Sequence, residues 1–94
     1  MKAQELVAWN LRRLRVAQGT AQELLAVDAE VDRTYISRLE RAKENPTVAV
    51  LERLAVALGV SISEFFAPVR AGSNRPKPLQ SGRRPRKRSG RKSA

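Results

Sequence analysis

Five polar side chains, Arg33, Thr34, Ser37, Arg38 and Arg41, recur at a spacing that gathers them on one side of a helix. At about 100° per residue they fall within an arc of roughly 140°. Ile36 and Leu39 fall on the opposite side, where they can pack inward. The face so formed carries three guanidiniums and two hydroxyls. A guanidinium matches guanine O6 and N7 with two parallel hydrogen bonds, and Ser or Thr hydroxyls bond base edges or phosphates. Such a face either contacts a nucleic acid or is an ordinary solvated helix surface. The spacing alone leaves both readings open.

Other chemistry is largely excluded. The 94 residues contain no cysteine and no histidine. Disulfides and thiolate metal sites are ruled out, and the commonest general base and metal ligand is absent. There is no glycine-rich phosphate loop and no convincing carboxylate pair, so an enzyme is not expected. No metal, cofactor or small-molecule ligand is expected either, because the length leaves no room for a ligand-sensing domain. No apolar run approaches the ~20 residues of a membrane span. The segment Met1-Lys2-Ala3-Gln4-Glu5 lacks the apolar stretch of a secretory signal. An intracellular, cytoplasmic protein is the expectation.

The formal net charge of +10 is unevenly placed. Residues 1–67 hold nine bases and nine acids and are neutral, whereas residues 68–94 hold ten bases and no acid. The second segment also carries Pro68, Pro76, Pro78 and Pro85, with only Val69 and Leu79 as large apolar residues. It cannot bury enough apolar surface to offset its ordering entropy and is expected to be a disordered basic tail. Its roles range from a solubilising tail to sequence-independent binding of phosphates. The run Gly82-Arg83-Arg84-Pro85-Arg86-Lys87-Arg88 also has the form of a minor-groove arm or a nuclear-import signal.

The elements that must position the polar face read as helices, with apolar residues at helical spacing and no period-2 alternation. A first helix is expected over 2–18, with Val7, Leu11 and Leu14 inward beside Ala8, and Gly19 stopping it. Thr20-Ala21-Gln22-Glu23 has the form of a capping box opening a second helix to about residue 29, with Leu25, Ala26 and Ala29 inward. Asp32 is a suitable N-cap for a third helix over 33–41. Asn45-Pro46-Thr47 interrupts the chain, and Thr47 can cap a fourth helix over 48–58 that ends at Gly59. Ser61-Ile62-Ser63-Glu64 is a second capping box, opening a short fifth helix through Phe66. Two short helices joined by a tight turn inside an all-α domain point to a helix-turn-helix.

From Val7 to Phe66 the chain resembles the phage-repressor/Cro-like, or XRE, helix-turn-helix family. The resemblance rests on Gly19, Gln22-Glu23-Leu24-Leu25-Ala26, and Val31-Asp32-Arg33-Thr34-Tyr35-Ile36-Ser37-Arg38-Leu39-Glu40-Arg41. It continues through Lys43, Asn45-Pro46-Thr47 and the stretch from Leu51 to Ser61. Arg33-Thr34-Tyr35-Ile36-Ser37 also looks like the controller proteins of restriction–modification systems, which are small dimers of this fold. The resemblance implies a five-helix repressor-like domain over 1–67, with the helix-turn-helix unit at about 22–41. It implies that the third helix enters the major groove of double-stranded DNA. Arg33, Thr34 and Arg38 match base-reading positions, with Ser37 and Arg41 on the same face. Gln22 matches a residue that contacts phosphate and braces a reading side chain, and Lys43 and Asn45 match backbone-contacting positions. Arg15 and Glu40 match a semi-buried salt bridge. The family usually has Ser at Ala21, and often Gly at Glu30 and at Ala42. A positive φ at Glu30 would store strain on the order of 1 kcal/mol.

The fourth helix is apolar nearly all round, with only Glu52 and Arg53 polar. Val48, Leu51, Leu54, Ala55 and Leu58 suffice for the core. Val50, Val56 and Ala57 are left over, with Val60, Ile62, Phe65 and Phe66 close by. This surplus is expected to form a homodimer interface. The leading expectation is a dimeric, sequence-specific, nucleoid-associated regulator of transcription bound to a near-palindromic site. An antitoxin-like interaction module with a protein partner, and a non-specific architectural binder dominated by the tail, are the alternatives.

Overall fold

The computed structural model describes residues 1–69. They form four α-helices, α1 (Ala3–Ala17), α2 (Gln22–Ala29), α3 (Arg33–Glu40) and α4 (Val48–Leu58), then a 3₁₀ segment, Ile62–Phe66. No strand occurs among the described residues. The all-α class follows the sequence expectation, but the fifth element is a 3₁₀ turn and not an α-helix. The Ser61 hydroxyl accepts the Ser63 N–H at 3.3 Å, and Ala67 is extended ahead of Pro68. Five residues between those stops are too few to propagate an i to i+4 ladder. The basic tail expected over 68–94 lies, from residue 70 onward, outside the described residues.

The helix starts differ from one another. At α1 the Lys2 N–H donates to the Glu5 carboxylate at 2.9 Å. The expected Thr20 capping box is absent: α2 follows an extended Ala21 with no side-chain cap. Thr20 belongs instead to the end of α1. Its N–H donates to the Arg15 carbonyl at 3.1 Å, and its own carbonyl accepts from Arg15 Nη1 at 2.8 Å. Asp32 is the N-cap of α3, without a side-chain bond to the backbone. Its negative charge still complements the helix dipole. Thr47 caps α4 as expected, its Oγ1 accepting the Val50 N–H at 3.1 Å.

The four α-helices share one ending. Two nested backbone bonds close each C-terminus: Thr20 to Arg15 with Gly19 to Val16, Val31 to Ala26 with Glu30 to Val27, Lys43 to Arg38 with Ala42 to Leu39, and Val60 to Ala55 with Gly59 to Val56. This is the Schellman arrangement, which needs a left-handed residue at the turn. Gly19 and Gly59 supply it at φ 68°, while Glu30 and Ala42 adopt φ 60° and 59° despite carrying side chains. Both strained positions flank α3. The two positions where the sequence departs from the family's glycines, Glu30 and Ala42, thus carry a left-handed backbone.

The core lies where the helices meet. Val7, Leu11 and Leu14 of α1, Leu25, Ala26 and Ala29 of α2, and Ile36 and Leu39 of α3 are buried with Leu51, Leu54, Ala55 and Leu58 of α4. α1 packs on α3 and the 3₁₀ segment, and α2 packs on α3 and α4. Val48, expected in the core, is 74% exposed. It continues the apolar stripe of α4 but stands at the helix's first residue and stays in solvent. Phe65, expected at a dimer interface, is completely buried and fills the core between α1 and α4.

Candidate nucleic-acid interface

α2 and α3 are joined by three residues, Glu30, Val31 and Asp32. Val31 packs against the core while Glu30 takes the left-handed turn. α3 then buries Ile36, Leu39 and Glu40 on one side. Arg33, Thr34, Arg38 and Arg41 are exposed on the other, and Ser37 is half-buried. The structure therefore brings the five polar residues of the sequence argument to one outward face. Lys43 and Asn45 are exposed in the loop that follows.

A buried polar node sets the position of this face. The Arg15 guanidinium meets the Glu40 carboxylate side by side, Nε to Oε2 at 2.6 Å and Nη2 to Oε1 at 2.9 Å. Their side chains are 7% and 1% exposed. Gln22 Nε2 donates to Glu40 Oε1 at 3.1 Å. A carboxylate only accepts, so the amide nitrogen of Gln22 must face it. One node thus ties α1, the α1–α2 turn through the Thr20 carbonyl, the first residue of α2 and the last residue of α3. The salt bridge implied by the family resemblance is present, bidentate and buried. Gln22 braces Glu40 in this structure, and it lies at the N-terminus of α2, where unpaired N–H groups and the positive dipole end favour an anion.

Two arginines of the outward face fold back on their own chain. Arg38 Nε donates to Glu44 Oε2 at 2.7 Å and Arg38 Nη2 to the Lys43 carbonyl at 3.1 Å. Arg41 Nε donates to the Ser37 carbonyl at 3.3 Å. Arg33 and Thr34, in the first turn, have no side-chain partner among the described residues. Tyr35 packs partly against the core; burial raises its phenol above the usual range, the Glu44 charge adds to this and Arg53 opposes it.

Sequence reasoning missed three positioning residues. Buried Asn10 donates through Nδ2 to the carbonyls of Leu6, Phe65 and Ala67 at 3.1, 3.0 and 2.9 Å, and accepts from Arg13 Nε at 3.0 Å. It fastens α1 to the 3₁₀ segment and to the chain leaving it. An amide between Val7 and Leu11 on an apolar stripe was the available signal. Gln18 Nε2 donates to the Leu58 carbonyl at 2.6 Å, joining the ends of α1 and α4. Gln4 Nε2 donates to the Glu44 carbonyl at 2.8 Å. Neither glutamine carries a local pattern that marks such a distant partner.

Along α4 and the 3₁₀ segment, Val56 is 76% and Phe66 47% exposed. Val50, Ala57, Val60 and Ile62 are partly buried and pack against the core. No helix of the described residues is long and apolar enough to cross a membrane, and no group of acidic residues among them is arranged to hold a metal ion.

These features define a helix-turn-helix domain with a buried ion-pair node behind the second helix of the motif. The helix-turn-helix family model HTH_3 matches residues 11–65, and the chain belongs to that family. An uncharacterized HTH-type transcriptional regulator, y4dJ of Sinorhizobium fredii, is 43% identical over 68 residues, covering 72% of this chain and 88% of that one. A hypothetical transcription factor of Neisseria meningitidis is 40% identical over 63 residues; the match covers 67% of this chain and 59% of the relative's length. The crystal structure of the restriction–modification controller protein C.AhdI from Aeromonas hydrophila superposes with a TM-score of 0.66 at 35% identity, covering 67% of this chain and 96% of that one.

Proposed function

We propose that this chain is a sequence-specific, double-stranded DNA-binding regulator of transcription that acts as a homodimer. The observation that carries the reading is the outward face of α3, held by the buried Arg15–Glu40–Gln22 node against the N-terminus of α2. A helix so presented fits the major groove, with its first residues at the base edges. Arg33, Thr34 and Ser37 read bases in this reading, and Gln22, Arg41, Lys43 and Asn45 hold phosphates. The similarity to transcriptional regulators and to restriction–modification controller proteins supports it.

Two copies meet through Val56 and Phe66, over Val50, Ala57, Val60 and Ile62. The pair of α3 helices then stands about 34 Å apart, one turn of duplex, and reads a near-palindrome. The ten bases of residues 68–94 add charge-driven, sequence-independent affinity. The protein is not an enzyme and works in the cytoplasm at the nucleoid.

The concentration of charge in residues 68–94 favours one competing reading, a non-specific architectural binder. Selection of the full chain against a random duplex pool separates the two. An enriched palindrome supports the specific regulator, and tight binding without a motif overturns it. Changing Arg83, Arg84, Arg86, Lys87 and Arg88 to serine should flatten the salt dependence, by up to about 0.9 per lost phosphate contact, and leave the motif unchanged.

A further inference from the structure

Arg38 stands on the outward face of α3, yet its guanidinium is engaged by its own chain. Nε meets the Glu44 carboxylate and Nη2 the Lys43 carbonyl. The same loop is held from two further directions. The Lys43 N–H donates to the Arg38 carbonyl at 2.9 Å, and Gln4 of α1 donates to the Glu44 carbonyl at 2.8 Å. Glu44 is therefore gripped by α3 through its side chain and by α1 through its backbone. Between them the chain passes through Ala42 at φ 59°, a conformation that persists where the surroundings over-determine it. Arg38 also lies in the last turn of α3, whereas base edges are reached from the first residues of a helix in the groove.

The geometry points to Arg38 as a positioning residue: with Glu44 it staples the 42–45 loop so that Lys43 and Asn45 meet the phosphate backbone, and it does not read a base. This rests on the DNA-binding reading above. It also accounts for a carboxylate on an otherwise basic face, because Glu44 is the other half of the staple. Lys43 is carried by the loop's own backbone, so its reach toward DNA follows the loop.

The test uses the full chain, the duplex recovered by selection and a random duplex of equal length. Arg38→Ala should weaken both duplexes alike by about two- to ten-fold, the range an exposed ion pair and one charge-assisted hydrogen bond span. Base preference should survive at every position. A base-reading role predicts instead a loss of roughly five- to a hundred-fold in discrimination at one base pair, and that result overturns the proposal. Glu44→Gln removes a repulsive charge whether or not Arg38 is present, so the informative quantity is the double-mutant coupling. A staple makes Glu44→Gln less beneficial with Arg38 present than in the Arg38→Ala background. Equal or greater benefit with Arg38 present overturns the proposal. Amide exchange needs no DNA: the Lys43 N–H should exchange two- to ten-fold faster in either single variant, while the equivalent Val31 N–H at the end of α2 is unchanged. Unchanged exchange at Lys43 also refutes the staple. If the wild-type chain selects no motif, the DNA-binding reading fails, and the exchange experiment still judges the staple.

Discussion

Replacing Glu30 by glycine should stabilise this protein, although the substitution deletes a whole side chain. Glu30 ends α2 at φ 60° and is exposed, with no side-chain hydrogen bond among the described residues. A left-handed conformation costs a non-glycine residue about 1–2 kcal/mol. Glycine removes that strain but enlarges the unfolded ensemble, at a cost of about 0.4–1 kcal/mol. The net gain is about 0.5–1 kcal/mol. For a domain of this size that raises Tm by roughly 2–8 °C. Glu30→Ala separates strain from charge, because it keeps the Cβ and loses the carboxylate at the unfavourable end of the helix dipole. Gly59→Ala is the mirror experiment. A Cβ there meets nothing within 4 Å, so only the backbone at φ 68° opposes it, and stability should fall by about 0.5–1 kcal/mol. Urea denaturation followed by circular dichroism, at fixed protein concentration, reads all three. A loss in Glu30→Gly, or a neutral Gly59→Ala, would refute the claim that these turns store strain.

Two further outcomes follow from the geometry. Glu40→Ala leaves the Arg15 guanidinium buried without its counter-charge, holding only its bond to the Thr20 carbonyl, which should cost about 3–5 kcal/mol, against a total stability of about 3–10 kcal/mol for a domain of this size. The double variant Arg15→Met/Glu40→Leu should recover most of that loss in urea denaturation yet bind operator more weakly, since Gln22 loses its anchor; a double variant no more stable than the single would contradict the argument. Val56→Glu, at a position 76% exposed in the single chain, should change monomer stability by less than about 0.5 kcal/mol while converting dimer to monomer in sedimentation. Persistence of the dimer would place the interface elsewhere.

Much of the architecture was legible along the chain because helix formation and helix termination are local. Apolar residues three and four apart gave the buried stripes of α1 and α2, and Thr47 and Gly59 bounded α4 as expected. The outward arc of α3 was equally readable from angular spacing alone. Other features turned on competition that no local pattern reports. Thr20 has the residues of a capping box, but Arg15 and the nested bonds ending α1 claim its backbone. Val48 sits on the right stripe, at the first residue of α4, and is left out of the core. Phe65 and Phe66 are adjacent and alike, and only the docking of the 3₁₀ segment on α1 decides which is buried.

The site divides in the same way. Composition and spacing determined that a basic, hydroxyl-bearing face stands on a short helix, and the family resemblance paired Arg15 with Glu40. Tertiary structure decided what each group is attached to. Gln22 turns its amide onto Glu40, Asn10 fastens the 3₁₀ segment to α1, and Arg38 is turned from the outward face onto Glu44. The physical reason is reach: periodicity constrains the direction in which a side chain leaves its helix, whereas the hydrogen-bond partner of a long polar side chain depends on elements brought near it only by packing.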